Sequence, residues 1–203
     1  MTESSSRYGL IVISAPSGAG KSTLCGKLLE DFPARLALSV STTSRAPRGQ
    51  EQHGREYFFT DSQDFQNRIT ADEFAEWALV HGNYYGTQKV TLERFWSSGR
   101  HVLLDIDVQG ASSLKKLYGD RCFTVFIAPP SMEELERRLR GRGTDSEETI
   151  RKRMANASGE MARQGEFDRI IVNEDFARAR AELDQAVRKF MDGQESGTWQ
   201  KAP

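Results

Sequence analysis

Apolar residues fall along this chain in two periods. Short unbroken runs at 10–14, 102–106, 123–128 and 169–172 have the length and continuity of strands buried on both faces. Between them, apolar positions recur at helical spacing: Leu24, Leu28 and Leu29; Leu114 and Leu117; Met132, Leu135 and Leu139; Ile150, Met154, Ala157 and Met161. Ser131/Glu134 and Thr144/Glu147 read as capping boxes opening the last two helices. Strands alternating with helices predict an α/β fold, a parallel sheet wound on both sides by right-handed crossovers.

Two stretches break the alternation. Residues 37–90 hold turns rich in Ser, Thr, Arg and Gly, a strand-like segment at 56–60, and the aromatic groups Phe74/Trp77 and Tyr84/Tyr85. They predict a lobe inserted into the core. The run Arg140-Gly141-Arg142-Gly143-Thr144 lies between two amphipathic helices, and its glycines permit a hinge, so residues 138–165 are expected to form a lid region. The core then comprises residues 1–36, 91–137 and 166–192. Residues 193–203, with Gly, Ser, Gln and Pro, read as a disordered tail.

The first apolar run ends in Ala15-Pro16-Ser17-Gly18-Ala19-Gly20-Lys21-Ser22, followed by Thr23 and a helical pattern. A buried strand, a glycine-rich turn and Gly-Lys-Ser entering a helix form the context of a phosphate-binding P-loop. Gly18 and Gly20 let backbone N–H groups wrap phosphate oxygens where a Cβ would obstruct. Lys21 can reach the terminal phosphates, and the Ser22 hydroxyl can ligate Mg²⁺. Ala15 replaces the usual first glycine, so a near-normal loop with negative φ at Ala15 is expected. Residues 15–23 are thus the candidate ATP-binding segment.

Composition narrows the partners. The chain has 203 residues with 28 Lys plus Arg against 29 Asp plus Glu, so it lacks the global basic field that nucleic acid would call for. The polar start and the short first apolar run contain neither a secretory signal nor a membrane span, and a reducing cytoplasmic setting is expected. Cys25 and Cys122 sit far apart in apolar segments and read as buried reduced thiols. His53, His81 and His101 have no nucleophile partner in sequence and receive no role. Oligomeric state is not legible.

Further motifs choose among P-loop proteins. These are Ser41-Thr-Thr-Ser-Arg45-Ala-Pro-Arg48, Gly54-Arg-Glu-Tyr57, Glu76-Trp77, Gly82-Asn-Tyr-Tyr85-Gly-Thr87, Asp105-Ile-Asp107-Val-Gln-Gly110, Gly141-Arg-Gly143-Thr and Ile171-Val-Asn173. In this order, over roughly residues 9–190, the chain resembles the guanylate kinase family of P-loop nucleoside monophosphate kinases. The resemblance implies a P-loop NTPase fold carrying a GMP-binding lobe and a lid. Arg45, Arg48, Tyr57 and Tyr85 look like the family's clamp on the GMP phosphate, two planar donor forks backed by phenols. Ser41, Glu76, Thr87 and Asp107 resemble its base-recognition set. A carboxylate at Glu76 accepts from guanine's ring N–H and 2-amino group together, and adenine offers neither. Sites built on such a bond reject the analogue lacking it by about four to five orders of magnitude at best.

Asp105 and Asp107 lie two apart on the expected strand and so share a face. Asp105 fits the Walker-B role of ordering Mg²⁺ near Ser22. Arg138 and Arg142, four apart, together with Arg153, resemble the family's lid arginines around the transferring phosphoryl group. Lys21, Arg48, Arg138, Arg142 and Arg153 are therefore the expected catalytic cations. The implied reaction is Mg²⁺-dependent transfer from ATP to GMP, and also to dGMP, because the base set does not read the ribose. Two other readings fit less of the chain. A guanylate-kinase-like interaction module typically loses the P-loop lysine, and Lys21 is intact. A related kinase with another acceptor, such as a ribose bisphosphate, would not need the Ser41, Glu76, Thr87 and Asp107 set.

Overall fold

The computed structural model describes residues 7–80, 82–141, 143 and 145–199. The expected roles of Arg142 and Thr144, and the positions of His81 and of residues 200–203, lie outside the described residues. The core is a five-stranded parallel sheet of β1 (Leu10–Ser14), β2 (Leu36–Leu38), β7 (His101–Asp105), β8 (Cys122–Ala128) and β9 (Arg169–Val172), in the order β2-β7-β1-β8-β9. Every residue of β1 is buried, as a strand flanked on both edges and covered on both faces must be.

Alternation along β1 sorts the core into two layers. Ile11 and Ile13 pack with Leu24 and Leu28 of α1 (Lys21–Asp31) and Leu183 and Phe190 of α7 (Phe176–Ser196). Leu10 and Val12 pack with Leu92 and Trp96 of α3 (Lys89–Ser97) and Leu114 of α4 (Val108–Tyr118). Cys25 and Cys122 are buried free thiols, and burial pushes them up to about 11 and about 12. Among the described residues, no helix is long and apolar enough to cross a membrane.

The inserted lobe is a second sheet, β4-β3-β6-β5, built from β3 (Thr42–Thr43), β4 (Phe58–Phe59), β5 (Phe74–Val80) and β6 (Asn83–Gln88). Phe65 of α2 (Ser62–Thr70) closes one side, stacking on Phe74 at 4.4 Å and on Tyr84 at 5.2 Å. Two further helices, α5 (Met132–Gly141) and α6 (Glu147–Ala162), pack on each other through Leu135, Leu139, Ala157 and Met154, and the expected lid span 138–165 begins within α5.

Several expectations need correction. The lobe does not begin at 37, because Leu36–Leu38 pairs in parallel with β7 and is the edge strand of the core. The expected strand at 56–60 shrinks to two residues, and the one at 102–106 ends at Asp105. Asp107 is not on a strand: its carboxylate accepts the Gln109 and Gly110 amides and starts α4 as its N-cap. Ser146, not Thr144, caps α6 by accepting from the Thr149 amide at 3.3 Å. The Ser131 cap holds as expected, with the Glu134 amide donating to it at 3.1 Å.

The expected tail is largely ordered. α7 runs through Ser196, and Gly197 at φ +71° turns the chain back. Thr198 N–H bonds the Gly193 carbonyl and Gly197 N–H that of Gln194, the paired bonds of a Schellman ending. The reversal sets Trp199 edge-on to Phe190 at 4.9 Å and to Phe123 at 5.5 Å. Gly193 leaves the room for it, since a Cβ there would lie 3.0 Å from that of Trp199. The glycines that suggested disorder serve this turn. Truncating Trp199 to Ala is expected to cost about 2 kcal/mol and about 5 °C in Tm. Thermal unfolding checks it, and an unchanged Tm would mean that the indole does not hold the end of the chain.

Candidate active site

The phosphate loop leaves the C-terminal end of β1 and enters α1 through two left-handed glycines, Gly18 at φ +100° and Gly20 at φ +95°. Ala15 has no positive φ, as expected for a residue with a Cβ. The loop is braced from outside. Asn173, at the end of β9, donates its side-chain amide to the Ala19 carbonyl at 2.7 Å. A Cβ on Gly20 would lie 2.4 Å from that amide nitrogen, so the brace requires the glycine. Gly18 faces Leu135 and Leu139 of α5, where a Cβ would come within 3.1 and 3.0 Å.

The loop forms one wall of a cleft of about 790 Å³. Ala15, Pro16, Ser17, Gly18, Gly20, Lys21, Ser22 and Thr23 line it, while Ala19 is turned into the core. Lys21 makes an ion pair with Asp105, and burial pulls its pKa down. The Ser22 hydroxyl lies 3.4 Å from the other Asp105 oxygen. A hydroxyl and a carboxylate converging beside a phosphate loop are the hard-oxygen donors that Mg²⁺ takes when substrate phosphates and water complete its shell, so these two residues fit the ion.

The lobe supplies the opposite wall. Ser41, Tyr57, Glu76 and Tyr85 of the lobe line the cleft, joined by Asp107 from the start of α4. Glu76 and Thr87 are a cross-strand pair of β5 and β6, both buried, and the Thr87 hydroxyl donates to the Glu76 carboxylate at 2.6 Å. Burial pushes Glu76 up to about 7, against the Thr87 hydrogen bond and helped by the charge of Asp107. Gly110 of α4 covers its other oxygen so closely that a Cβ would stand 2.7 Å away. The carboxylate is thus confined by a helix backbone on one side and a hydroxyl on the other.

The expected cations are placed unequally. Arg45 is buried and bonded to Glu51 and Tyr85, so it stands behind the lining rather than on it. Arg48 is exposed, and its backbone N–H donates to Glu51 at 2.8 Å. Arg138 is held by Glu134 and donates to the Asn173 carbonyl at 2.9 Å, which ties it to the loop brace and not to the cleft lining. Arg153 reaches the loop, donating to the Ser17 hydroxyl at 2.5 Å. Sequence reasoning assigned nothing to Glu51, Arg55 or Glu160, which also line the cleft. Asn173 was given no role, although a polar residue ending an apolar run is a signal; that run, β9, is an edge strand with Ile170 and Val172 exposed rather than one buried on both faces. Glu160 falls two helical turns from Arg153, hence on its face, and burial pushes it up to about 7.

A strand-borne phosphate loop at the C-terminal edge of a parallel sheet, with an acid from the neighbouring strand at its lysine, defines a P-loop nucleotide-binding protein. Residues 7–190 match the family model described as Guanylate kinase. The chain is 48% identical over 183 residues to a guanylate kinase of Porphyromonas gingivalis, covering 90% of this chain and 97% of that one. It is 52% identical over 179 residues to a guanylate kinase of Aromatoleum aromaticum, covering 88% and 87%. The crystal structure of guanylate kinase from Anaplasma phagocytophilum superposes with a TM-score of 0.74 at 34% identity, covering 91% of this chain and 86% of that one. The chain belongs to the guanylate kinase family.

The raised Glu76 has a consequence for stability. Its folded pKa of about 7 lies above the unfolded value of 4.5, so the folded state holds the proton more tightly and loses stability as pH rises through that interval. Glu76→Gln removes this loss while keeping an acceptor for Thr87. Its Tm is expected to match the parent near about pH 4 and to exceed it by several degrees near about pH 8. Thermal scans across this range decide it, and parallel profiles would place the Glu76 pKa near its ordinary value.

Proposed function

We propose that this kinase transfers the terminal phosphoryl group of ATP to GMP, and to dGMP, giving ADP and the corresponding diphosphate. The observation that carries the reading is one cleft lined on one side by the phosphate loop and on the other by Glu76, a buried carboxylate held by the Thr87 hydroxyl. Guanine presents two adjacent N–H donors to a single carboxylate, and one Glu76 oxygen is turned from Thr87 with no side-chain bond among the described residues. Adenine would set acceptor against acceptor in a desolvated site.

The acceptor phosphate needs no general base, because its second pKa is about 6 and an ionised oxygen is already present near neutrality. The work is to bring two polyanions together in line. Lys21 leaves Asp105 for the transferred phosphates, and Ser22 and Asp105 would hold Mg²⁺, which would supply charge neutralisation at the phosphate oxygens. Arg48 and Tyr85 take the acceptor phosphate. Arg153, already against Ser17, Arg138 and Arg142 neutralise charge on the transferring group as the lid and lobe close and exclude water.

ADP release measured with ATP and Mg²⁺ against GMP, dGMP, AMP, CMP and UMP tests the reading. Strong turnover with GMP and dGMP alone is expected. Failure of every acceptor, in folded protein that still binds GMP, would transfer the assignment to a non-catalytic binding module. Lys21→Ala is expected to abolish transfer, and Glu76→Gln to lower the GMP over AMP preference by at least about a hundredfold. An unchanged preference in Glu76→Gln would remove this residue from base reading.

A further inference from the structure

The clamp arginine of the lobe is already committed. Arg45 donates from Nη1 and Nη2 to the two oxygens of Glu51 at 2.9 and 3.0 Å, from Nη1 again to the Ala46 carbonyl at 2.7 Å, and from Nε to the Tyr85 hydroxyl at 3.2 Å. Four of its five N–H groups are thereby used among the described residues. The side chain is 7% exposed and lies over the Tyr57 ring at 5.3 Å and the Phe59 ring at 5.9 Å. A two-pronged grip on a phosphate, which the sequence suggests for Arg45, has no free fork to use.

Glu51 occupies that fork, and it lines the cleft. An arriving phosphate could expel it or leave it in place. Expulsion breaks two charge-assisted bonds to Arg45 and a third from the Arg48 amide at 2.8 Å, and it sends a half-buried carboxylate toward a dianion. Retention breaks nothing. It also gives Tyr85 a direction, because a hydroxyl that accepts from the Arg45 Nε–H has its own O–H left to donate, polarised by the bond it receives.

We propose that Glu51 is a positioning residue for the acceptor phosphate: it stays paired with Arg45, aims the Tyr85 hydroxyl through it, and sets the turn that carries Arg48. The inference rests on the cleft taking a nucleoside monophosphate. It reverses the sign that charge alone gives. Removing a carboxylate beside a dianion site should strengthen binding if the field decides, and should weaken it if positioning does.

The experiment uses the full chain with Glu51→Gln and Tyr85→Phe, singly and together, and compares GMP with guanosine, which lacks the phosphate. Glu51→Gln is expected to raise KM for GMP by about ten- to a hundredfold, with kcat at saturating GMP and KM for ATP little changed. The dissociation constant of guanosine should stay at the parent value, so the advantage of GMP over guanosine shrinks. Tyr85→Phe should shrink it too, and the double variant should add little to either single one. General damage to the lobe would instead weaken guanosine equally. A KM for GMP that is unchanged or lower in Glu51→Gln overturns the proposal. If the acceptor panel selects another nucleoside monophosphate, guanine reading fails, and the same comparison is run with that acceptor and its nucleoside. Should Glu51→Gln not fold, the Tyr85→Phe ratio decides alone, an unchanged ratio counting against the relay.

Discussion

Between β1 and α1 the backbone passes twice through left-handed conformations, at Gly18 and Gly20, and at each one another part of the molecule fills the space a side chain would need. The Asn173 amide stands against Gly20, and the leucines of α5 stand against Gly18. Asn173 is itself held by β8, its N–H donating to the Ala128 carbonyl at 2.8 Å, and its own carbonyl accepts from Arg138 of α5. The loop is therefore shaped by the C-terminal edge of the sheet and by α5 as well as by its own glycines. A displacement of α5 cannot leave the loop untouched, because Gly18 packs against its leucines and Asn173, which braces the loop at Ala19, is bonded to its Arg138.

Across the cleft the constraint is electrostatic. Glu76 is buried between a hydroxyl and a helix backbone without a cation bonded to it, and its carboxyl is correspondingly hard to ionise. In the proposed function, a bound base would return to this carboxylate the hydrogen bonds with water that burial withholds. Arg45 shows the opposite solution, a buried charge saturated by Glu51, Tyr85 and the backbone. One wall thus leaves its charged group wanting partners, and the neighbouring one supplies them in advance.

Much of the frame was legible in the chain. The apolar runs located β1 and β9 to the residue, β7 within one residue at each end and β8 within one at its start, and Gly-Lys-Ser placed the phosphate loop because its requirements are local. What escaped depends on partners distant in sequence. Leu36–Leu38 is too short to announce a strand until β7 lies beside it. Asp107 looked like a strand residue because two-residue spacing cannot distinguish a strand face from a helix cap. Glu76, read alone, is a surface position on an amphipathic strand; the family resemblance singled it out, and α4 buries it. Glu51 lies in a polar turn with no periodic signal at all. Trp199 was concealed by its glycine-rich neighbours.

The closeness of Gly110 to the Glu76 carboxylate bears on how such a pocket could change its preference over evolutionary time. The carboxylate is walled by main chain, which no exchange of side chains can move. Enlarging or recharging the seat would require α4 to shift, and its N-cap Asp107 lies two residues after Asp105, the phosphate-loop acid that ends β7. If the proposed base reading holds, a lineage seeking a different base would have to disturb its donor site to get there.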